Sequence, residues 1–580
     1  MNHDESIPVE TPGRLEARKK IPEAFLVGLL IALAVFVTYL PALYGGFIWD
    51  DNDHLTENPC IVGPLGFKGI WTSSAAVYYP LVLTSFWMEH VLWGLHPLPY
   101  HLINIVMHAA CVVLLWRVLQ SLNVPGAWLG AVFWGLHPVQ VESVAWITEM
   151  KNTQSCFFFL LSVLFSLRWR NAATNVGDRQ HEWHYASALL CAALAILSKA
   201  STVMLPVVIG LCWWWVEKEW RWRNLLRLAP FFLISATAGL WTIWEQKFHS
   251  GALGSEWVQS WPERFVVAGK IVWFYLAKLF WPHPLIFIYP RWNIDAHSTP
   301  AFLPIAAVAF LLFASWWYRS NVYLRILFFT FSYFVAQLFP VMDFFNVYFF
   351  RYSFVGDHFQ YLASIGPLAL TGAFIWWISE RFTGGMNVAK SLCLATPVVL
   401  LAVISWRYCR VFSSNDTLWR DTLAKNPACW MAHTDWGWLL TSQGNLTEAE
   451  FHYREAIRLK PDMEDAHYDY GNMLVKAGRI GEAVAQYQQA LQLNPKDSEV
   501  WNNLGVILYQ KRRTDEAIGC YHEALQYRPE FADAHFNLGN ALFVEHKLNE
   551  AIAEYQKALV LDPNSAAIKN RLRALGVPSQ

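Results

Sequence analysis

Residues 464–497 read EDAHYDYGNMLVKAGRIGEAVAQYQQALQLNPKD, and this stretch is one unit of a repeat with a period of 34 residues. Five kinds of position recur at that spacing on both sides of it. They are Gly437, Gly471, Gly505 and Gly539; Ala449, Ala483, Ala517 and Ala551; Tyr453, Tyr487, Tyr521 and Tyr555; Ala456, Ala490, Ala524 and Ala558; and Pro461, Pro495, Pro529 and Pro563. Such self-similarity predicts stacked helical units that bury their apolar faces against one another.

The repeat resembles the tetratricopeptide repeat, because each of the four units has small residues at the helix crossing, an aromatic plug and a terminal proline. We expect four repeats over 428–563, a partial repeat or connector over 411–427, and a capping helix and tail over 564–580. The concave face of such arrays usually binds a peptide. The candidate groove residues are Trp438, Asn472, Asn502, Asn503, Asn537 and Asn540. Ordinary solvated helix surface is the alternative interpretation.

The chain upstream of the repeats has a different composition. Of the last 170 residues 39 are charged, against 50 of the first 410. Overall the 580 residues are 15% charged and 55% hydrophobic, whereas about 25% charged is usual in soluble proteins. This composition predicts a membrane protein with a soluble C-terminal region. The formal net charge of −1 gives no indication of a nucleic-acid partner.

Apolar runs of about 20 residues predict membrane-spanning helices. Between residues 22 and 410 we expect a membrane domain of about eleven spans, in an all-α fold. The predicted spans are 22–43, 100–119, 126–147, 153–169, 184–200, 202–217, 228–244, 301–318, 324–341, 360–379 and 390–408.

The distribution of lysine and arginine predicts the orientation, since basic short loops stay on the cytoplasmic side. With the basic tail 1–21 inside, every predicted inner loop is basic, and the repeats lie outside. The outer side then holds the loops 44–99 and 245–300 and the segment 342–359. We expect two further apolar stretches, 77–96 and 263–281, to lie in the outer interface.

Three acidic residues follow the first span directly on the predicted outer side. Asp50, Asp51 and Asp53 are close in sequence, and like-charge proximity with poor solvation raises a carboxyl pKa toward that of a general base. Asp51 and Asp53 also form a weak candidate pair for a divalent cation. A plain solvated helix cap is the alternative.

Other polar residues fall at the same predicted membrane face. Glu142 is expected near the outer end of the third span, where a carboxylate is costly and therefore a functional candidate, with Lys151 or Lys199 as its partner. Lys199 could neutralise a phosphate, or it could reach the headgroups as an ordinary interfacial lysine. The segment before the tenth span adds Arg351, Asp357 and His358. This convergence favours a site for a membrane-embedded phosphate donor.

Several motifs resemble those of the transmembrane and tetratricopeptide-repeat-containing O-mannosyltransferases and their bacterial relatives, over nearly the whole chain. These motifs are Phe47, Asp50-Asp51 and Asn58; Tyr79-Pro80-Leu81, Ser85-Phe86 and Gly94-Leu95-His96-Pro97; Tyr100-His101, Asn104 and His108; and His137-Pro138, with Glu142-Ser143-Val144-Ala145-Trp146.

The resemblance implies an inverting C-type glycosyltransferase that takes a sugar, mannose by likeness, from a polyprenyl-phosphate carrier and transfers it to Ser or Thr of proteins. It implies that Asp50 or Asp51 is the general base, and that His358 with Arg351 and Lys199 stabilises the departing phosphate. The residues expected to support the substrate site are Glu142, Lys151, Asp357 and His101. No cofactor is expected, a divalent metal is left open, and the repeats would engage acceptor or partner proteins.

The chain departs from the family where many members have Asp-Arg-Tyr and it has Asp357-His358-Phe359. A titratable side chain thus replaces a permanent cation, which predicts that activity falls as pH rises through the His358 pKa. Tyr79 likewise stands where family members often have an arginine before the Pro-Leu pair. These differences favour a bacterial inner membrane with a cytoplasmic N-terminus and periplasmic repeats; in a eukaryote the repeats would lie in the lumen of the endoplasmic reticulum. The alternatives are a non-enzymatic membrane scaffold and a glycan ligase or polymerase.

Overall fold

The computed structural model describes residues 13–73, 79–172, 179–219, 222–252, 254, 257–382 and 387–577. Residues 1–12 of the predicted cytoplasmic tail lie outside this part of the chain. The chain divides into two compact units, Met1–Asn426 and Pro427–Gln580. The described residues form helices and turns without a β-strand, so the predicted all-α class is confirmed.

The first unit is a bundle of helices joined by short 3-10 segments. Its α-helices are α1 Gly13–Tyr39, α2 Gly66–Thr72, α3 Pro80–Trp93, α4 Pro97–Ser121, α5 Ala127–Leu136, α6 Val141–Ala145, α7 Met150–Ala172, α8 Arg179–Ser198, α9 Leu205–Glu217, α10 Trp222–Phe248, α11 Trp261–Phe280, α12 Leu303–Trp317, α13 Val322–Leu338, α14 Ile365–Phe382, α15 Asn387–Tyr408 and α16 Asn415–Lys425. The helix α16 covers most of the predicted connector and belongs to this unit.

Seven helical segments in the described part of the chain are long and apolar enough to cross a membrane. They are Glu23–Tyr44, Pro97–Ser121, Ala200–Glu217, Leu225–Phe248, Thr299–Trp317, Val322–Val341 and Asn387–Ser413. Membrane helices are thus present as predicted, while the count of eleven spans stays a prediction.

The predicted span over 126–147 is wrong, because the helix α5 ends at Leu136. His137 is extended, with φ −70° and ψ 133°, as expected for a residue that precedes a proline. The chain then forms a 3-10 turn, the five-residue helix α6 and a second 3-10 turn before α7 begins at Met150. Glu142 therefore lies in a short buried helix and not within a spanning one.

The second unit contains four helix pairs and a final helix. They are α17 Trp430–Gln443 with α18 Leu446–Leu459, α19 Glu464–Lys476 with α20 Ile480–Leu493, α21 Ser498–Gln510 with α22 Thr514–Tyr527, α23 Ala532–Val544 with α24 Leu548–Leu561, and α25 Ala566–Ala574. The repeat glycine lets the two helices of a pair meet. A Cβ atom on Gly471 would lie 2.5 Å from Cε1 of Tyr487, which is closer than van der Waals contact.

Candidate functional site

The loop that follows α1 carries the first acidic residues, and close backbone contacts hold it. Gly45 packs against His101, such that a Cβ atom at this position would lie 2.9 Å from the Nε2 of that histidine. The Gly46 amide donates to the carbonyl of Ser413 at 3.0 Å. His101 is buried and packs against this loop. It forms no part of the polar contacts of Asp50 and Asp51.

Asp51 is fully buried and ties this loop to the segment before α7. Its Oδ2 accepts a hydrogen bond from the Ile48 amide at 2.8 Å, and its Oδ1 accepts one from the Thr148 amide at 2.8 Å and another from the Thr148 hydroxyl. Burial raises the pKa of Asp51 to about 7, against the lowering effect of these hydrogen bonds. Since both oxygens are engaged, this carboxyl group fits a structural role.

Asp50 has a different environment from its neighbour. Its side chain is 21% exposed, and Oδ2 lies 3.2 Å from Nε2 of His54. Oδ1 accepts no hydrogen bond from the described residues. The His54 ring also lies 2.8–2.9 Å from the hydroxyl of Tyr79. Asp50 therefore has one buried carboxylate oxygen without a hydrogen-bond partner among the described residues, while a histidine contacts the other oxygen.

Asp53 is exposed at the protein surface. Within the described ranges no group of three His, Cys, Asp or Glu side chains is arranged to hold a metal ion. Asp51, the other member of the candidate metal pair, already uses both oxygens for hydrogen bonds. A cation held by Asp51 and Asp53 therefore stays a prediction.

Glu149 is the centre of a buried charged cluster that the sequence had not singled out. Its Oε1 lies 2.9 Å from Nζ of Lys151, and its Oε2 lies 3.3 Å from Nζ of Lys199. Asn152 accepts a hydrogen bond from Lys199 at 2.8 Å and donates to Glu149 at 2.5 Å. Burial alone would raise the pKa of Glu149, but the two lysines lower it below its usual value. The carboxylate is therefore ionised.

Asn152 extends this cluster to the segment before α14. Its side-chain amide donates to the backbone carbonyl of His358 at 2.9 Å. His358 Nδ1 lies 2.6 Å from Oε1 of Glu142. Burial lowers the pKa of His358 to about 3, although the charge of Glu149 opposes this shift. Burial thus favours the neutral imidazole, and the cationic role of His358 toward a phosphate stays a prediction.

The clusters around Asp50 and Glu149 are linked through Lys151. Its ammonium lies 5.6 Å from the ring centroid of Tyr79 and 5.3 Å from that of Trp146. Because Tyr79 also contacts His54, a continuous series of side-chain contacts runs from Asp50 to Lys199. The structure therefore brings Asp50, Glu142, Lys151, Lys199 and His358 into one connected region.

Two other candidates, Arg351 and Asp357, lie near His358 in the chain. Arg351 donates to the Tyr348 hydroxyl at 2.7 Å and lies 5.9 Å from the ring centroid of Trp257. Asp357 is fully buried and accepts a hydrogen bond from the Tyr289 hydroxyl at 3.1 Å. Burial raises the pKa of Asp357 to about 7, against the effect of that bond. Both residues have contacts that stabilise the segment.

Lys199 and His358 line a cavity of about 410 Å³. Parts of the candidate spans Ala200–Glu217, Leu225–Phe248 and Val322–Val341 form its walls. The apolar lining includes Val203, Met204, Val207, Phe232, Val341 and Phe345. The polar lining includes Ser235, Gln246, Gln337 and Asn346. The cavity thus combines an apolar interior with a buried cation.

In the second unit, the predicted groove amides form hydrogen bonds between neighbouring repeats. Asn503 donates to Asn472 at 3.3 Å, and Asn537 donates to Asn502 at 3.0 Å. The Tyr555 hydroxyl donates to Asn540 at 2.9 Å, and the Trp438 side chain is 52% exposed. The amides therefore help to fix the repeats to one another, in addition to any contact with a ligand.

Sequence reasoning missed the roles of His54, Glu149 and Asn152. His54 lies four residues after Asp50, a spacing that places two side chains on one face of a helical turn. Glu149 and Asn152 flank Lys151, which was already a candidate site residue, so their proximity to this lysine could be predicted from the sequence. Their pairing with Lys199 was not, because it joins segments separated by about 50 residues.

Two family models match the C-terminal region and confirm the predicted repeats. Residues 417–464 and 508–566 match the family model described as "Tetratricopeptide repeat", and residues 471–512 match the one described as "TPR repeat". Among solved structures, the chain is similar to that titled "Crystal structure of MamA", at 21% identity over 26% of this chain and 91% of that chain, with a TM-score of 0.25.

Similar curated proteins carry the name of one activity. The chain is 26% identical to "Protein O-mannosyl-transferase Tmtc1" of Drosophila melanogaster over 30% of this chain and 21% of that protein. It is 27% identical to "Protein O-mannosyl-transferase TMTC2" of Mus musculus over 32% of this chain and 23% of that protein. The matched part is thus about a fifth of the length of these relatives. The resemblance predicted from the motifs is confirmed.

Proposed function

We propose that the protein is a membrane glycosyltransferase that moves a sugar, mannose by likeness to its relatives, from a polyprenyl phosphate to Ser or Thr hydroxyls of proteins. The observation that carries the proposal is the series of contacts between Asp50, a partly exposed carboxylate, and Lys199, a buried cation at an apolar cavity. A group-transfer reaction from a lipid-linked phosphate needs a base and a cation in one site, and this series of contacts connects the two residues.

The cavity suits a donor with an apolar tail and an anionic head. Three candidate spans form its walls, so an isoprenoid chain could enter from the bilayer between them. Lys199 would pair with the phosphate, and its attraction is stronger here than in water because few solvent dipoles screen it. Glu149 holds Lys199 through Oε2 at 3.3 Å and thereby fixes the direction of its ammonium group.

Asp50 is the proposed general base. Its free Oδ1 takes the proton of the acceptor hydroxyl while the acceptor oxygen bonds to the anomeric carbon, and the bond from that carbon to the phosphate oxygen breaks. The electron pair of that bond leaves with the polyprenyl phosphate, whose growing negative charge Lys199 compensates. The displacement inverts the anomeric centre. His54 orients the carboxylate through Oδ2.

The repeats would engage acceptor or partner proteins on the same side of the membrane as the site. The basic short loops place that side opposite the cytoplasm in our proposal. The departures from the animal pattern favour a bacterial inner membrane with periplasmic repeats. The reaction as written uses no cofactor, and whether a divalent cation takes part can be tested with a chelator.

The experiment is transfer of radiolabelled sugar from polyprenyl-phosphate-mannose to membrane proteins by the full chain in detergent. We expect labelled protein with the wild type and with Glu57→Gln, which changes an exposed acid of the same loop, and strong loss of label with Asp50→Asn. Parallel reactions contain EDTA. Absence of labelled protein with mannose and glucose donors would contradict the proposal and favour a scaffold, and labelled lipid or saccharide instead of protein would favour a ligase or polymerase.

A further inference from the structure

Gln337 lies near the end of α13 and is one of the residues that line the same cavity as Lys199. The residue is 4% exposed, and neither its Oε1 nor its Nε2 has a hydrogen-bond partner. Among the residues that the structure describes, it is the only buried glutamine or asparagine with both amide atoms unpaired. This amide is therefore an unexplained polar group in a largely apolar cavity.

The other glutamines of this region have partners. Gln246, which lines the same cavity, accepts a hydrogen bond from the Tyr348 amide at 2.9 Å. Gln140 donates to the Ser364 hydroxyl at 2.9 Å. An unpaired amide buried in a candidate membrane span destabilises the protein, and polar groups in spans are functional candidates for that reason. A ligand that fills the cavity would supply the missing partners.

The chemistry of the amide selects the kind of group that it can bind. Nε2 donates and Oε1 accepts, so satisfying both requires a ligand that also accepts and donates. The phosphate diester of the sugar-bearing donor accepts only, and an isoprenoid chain does neither. Sugar hydroxyl groups do both. The helix α13 packs against Ala200–Met204 and Asp357–Gln360, so Gln337 and the residues next to Lys199 and His358 face one cavity.

We infer that Gln337 binds hydroxyl groups of the donor's sugar and so distinguishes the sugar-bearing lipid from the bare polyprenyl phosphate. This inference rests on the proposed function, because it takes the cavity to be the donor site. Lys199 then recognises the phosphate that the two lipids share, and Gln337 recognises the sugar, which only the mannosylated lipid carries.

The test measures binding of two tritiated lipids, polyprenyl-phosphate-mannose and polyprenyl phosphate, to the full chain in detergent by scintillation proximity. In Gln337→Leu we expect the affinity for the mannosylated lipid to fall about ten-fold, as lost hydrogen bonds predict, with less than a two-fold change for the bare lipid. Lys199→Met should weaken both. Gln120→Leu, a change at an exposed position of α4, is the matched control and should weaken neither.

A thermal measurement separates a binding role from a structural one. Without lipid, Gln337→Leu should melt at the same temperature as the wild type or higher, because it removes a buried unpaired polar group. A lower melting temperature, an equal loss of affinity for both lipids, or no loss for either would overturn the inference while leaving the donor assignment standing. If the wild type binds neither lipid, the proposed function fails as well.

Discussion

Asp50 and Asp51 are adjacent and chemically identical, and their environments predict opposite defects on conversion to asparagine. Asp50→Asn removes the proposed base, so transfer should fall about 10²- to 10⁴-fold. Its ion pair with His54 is partly exposed, and such pairs contribute about 0–1 kcal/mol. The apparent melting temperature should therefore change little.

Asp51→Asn acts on stability. An amide keeps one acceptor oxygen, which the two donors of Thr148 can still use. Its NH₂ group then faces the Ile48 amide, which loses its acceptor. A buried N–H group without a partner costs about 1–3 kcal/mol. We expect melting to fall by a few degrees, with activity falling only as far as folded protein is lost.

The pH dependence adds a second observable for Asp51. Burial raises its pKa to about 7, so between about pH 4, the ordinary range of an aspartate, and pH 7 the native state binds more protons than the unfolded state. The stabilisation that this group gives is fully present below about pH 4 and is lost as pH rises through 7. Asp51→Asn should remove this contribution to the pH dependence.

The assay pairs labelled-mannose transfer with thermal melting of purified Asp50→Asn, Asp51→Asn and the control Glu57→Gln, from pH 4 to pH 8. The reasoning is refuted if Asp51→Asn melts like the wild type and is inactive, because the buried carboxyl would then be the base. It is also refuted if Asp50→Asn retains full activity.

Three further changes test other parts of the structure. Glu149→Gln should lower the melting temperature and abolish lipid binding, because two buried lysines lose their counter-charge at a cost of about 3–5 kcal/mol; a stable, binding-competent variant would contradict this. Gly471→Ala should destabilise its repeat by about 1–3 kcal/mol, because the new Cβ atom meets Tyr487. Faster hydrogen exchange in the full chain would show this loss of stability. The control Gly481→Ala, whose Cβ atom has no neighbour within 4 Å, should leave the exchange unchanged. Burial lowers the pKa of His452 to about 4, below its unfolded value, so the stability of the first repeat should fall as pH falls from about 6.5 to about 4. The measurement is the hydrogen-exchange protection factor, which corrects for the pH dependence of exchange itself, and His452→Leu should weaken this response.

The repeats could be predicted from the sequence because their contacts are local and periodic. Gly471 and Tyr487 lie 16 residues apart, and the same pair recurs in every unit, so one period specifies both the helix pair and its packing. The apolar runs likewise predicted membrane helices. The break after Leu136 was missed because apolar length was weighed above the restriction that Pro138 places on His137.

The sequence predicted several residues of the candidate site but not the contacts that join them. Asp50, Lys199 and His358 were selected because charged groups at a membrane face are costly. Their grouping depends on contacts that bridge distant segments, such as Asn152 with His358, and periodicity carries no signal for such pairs. The same limit applied to the two aspartates, since only the fold shows that Thr148 engages one of them and leaves the other available.

With a neutral His358, binding of the proposed donor phosphate depends on the charges of Glu149, Lys151 and Lys199. Burial lowers the pKa of the His358 imidazole to about 3, so its neutral form adds no full charge to attract a phosphate. Glu149 carries one negative charge between Lys151 and Lys199, which leaves one net positive charge among the three groups. A phosphate diester between lipid and sugar carries one negative charge, so the cluster and the donor would neutralise each other. The phosphate released by transfer gains a second charge, and Lys151, which pairs with Glu149 and lies near the Tyr79 ring, is a second cation in the same cluster.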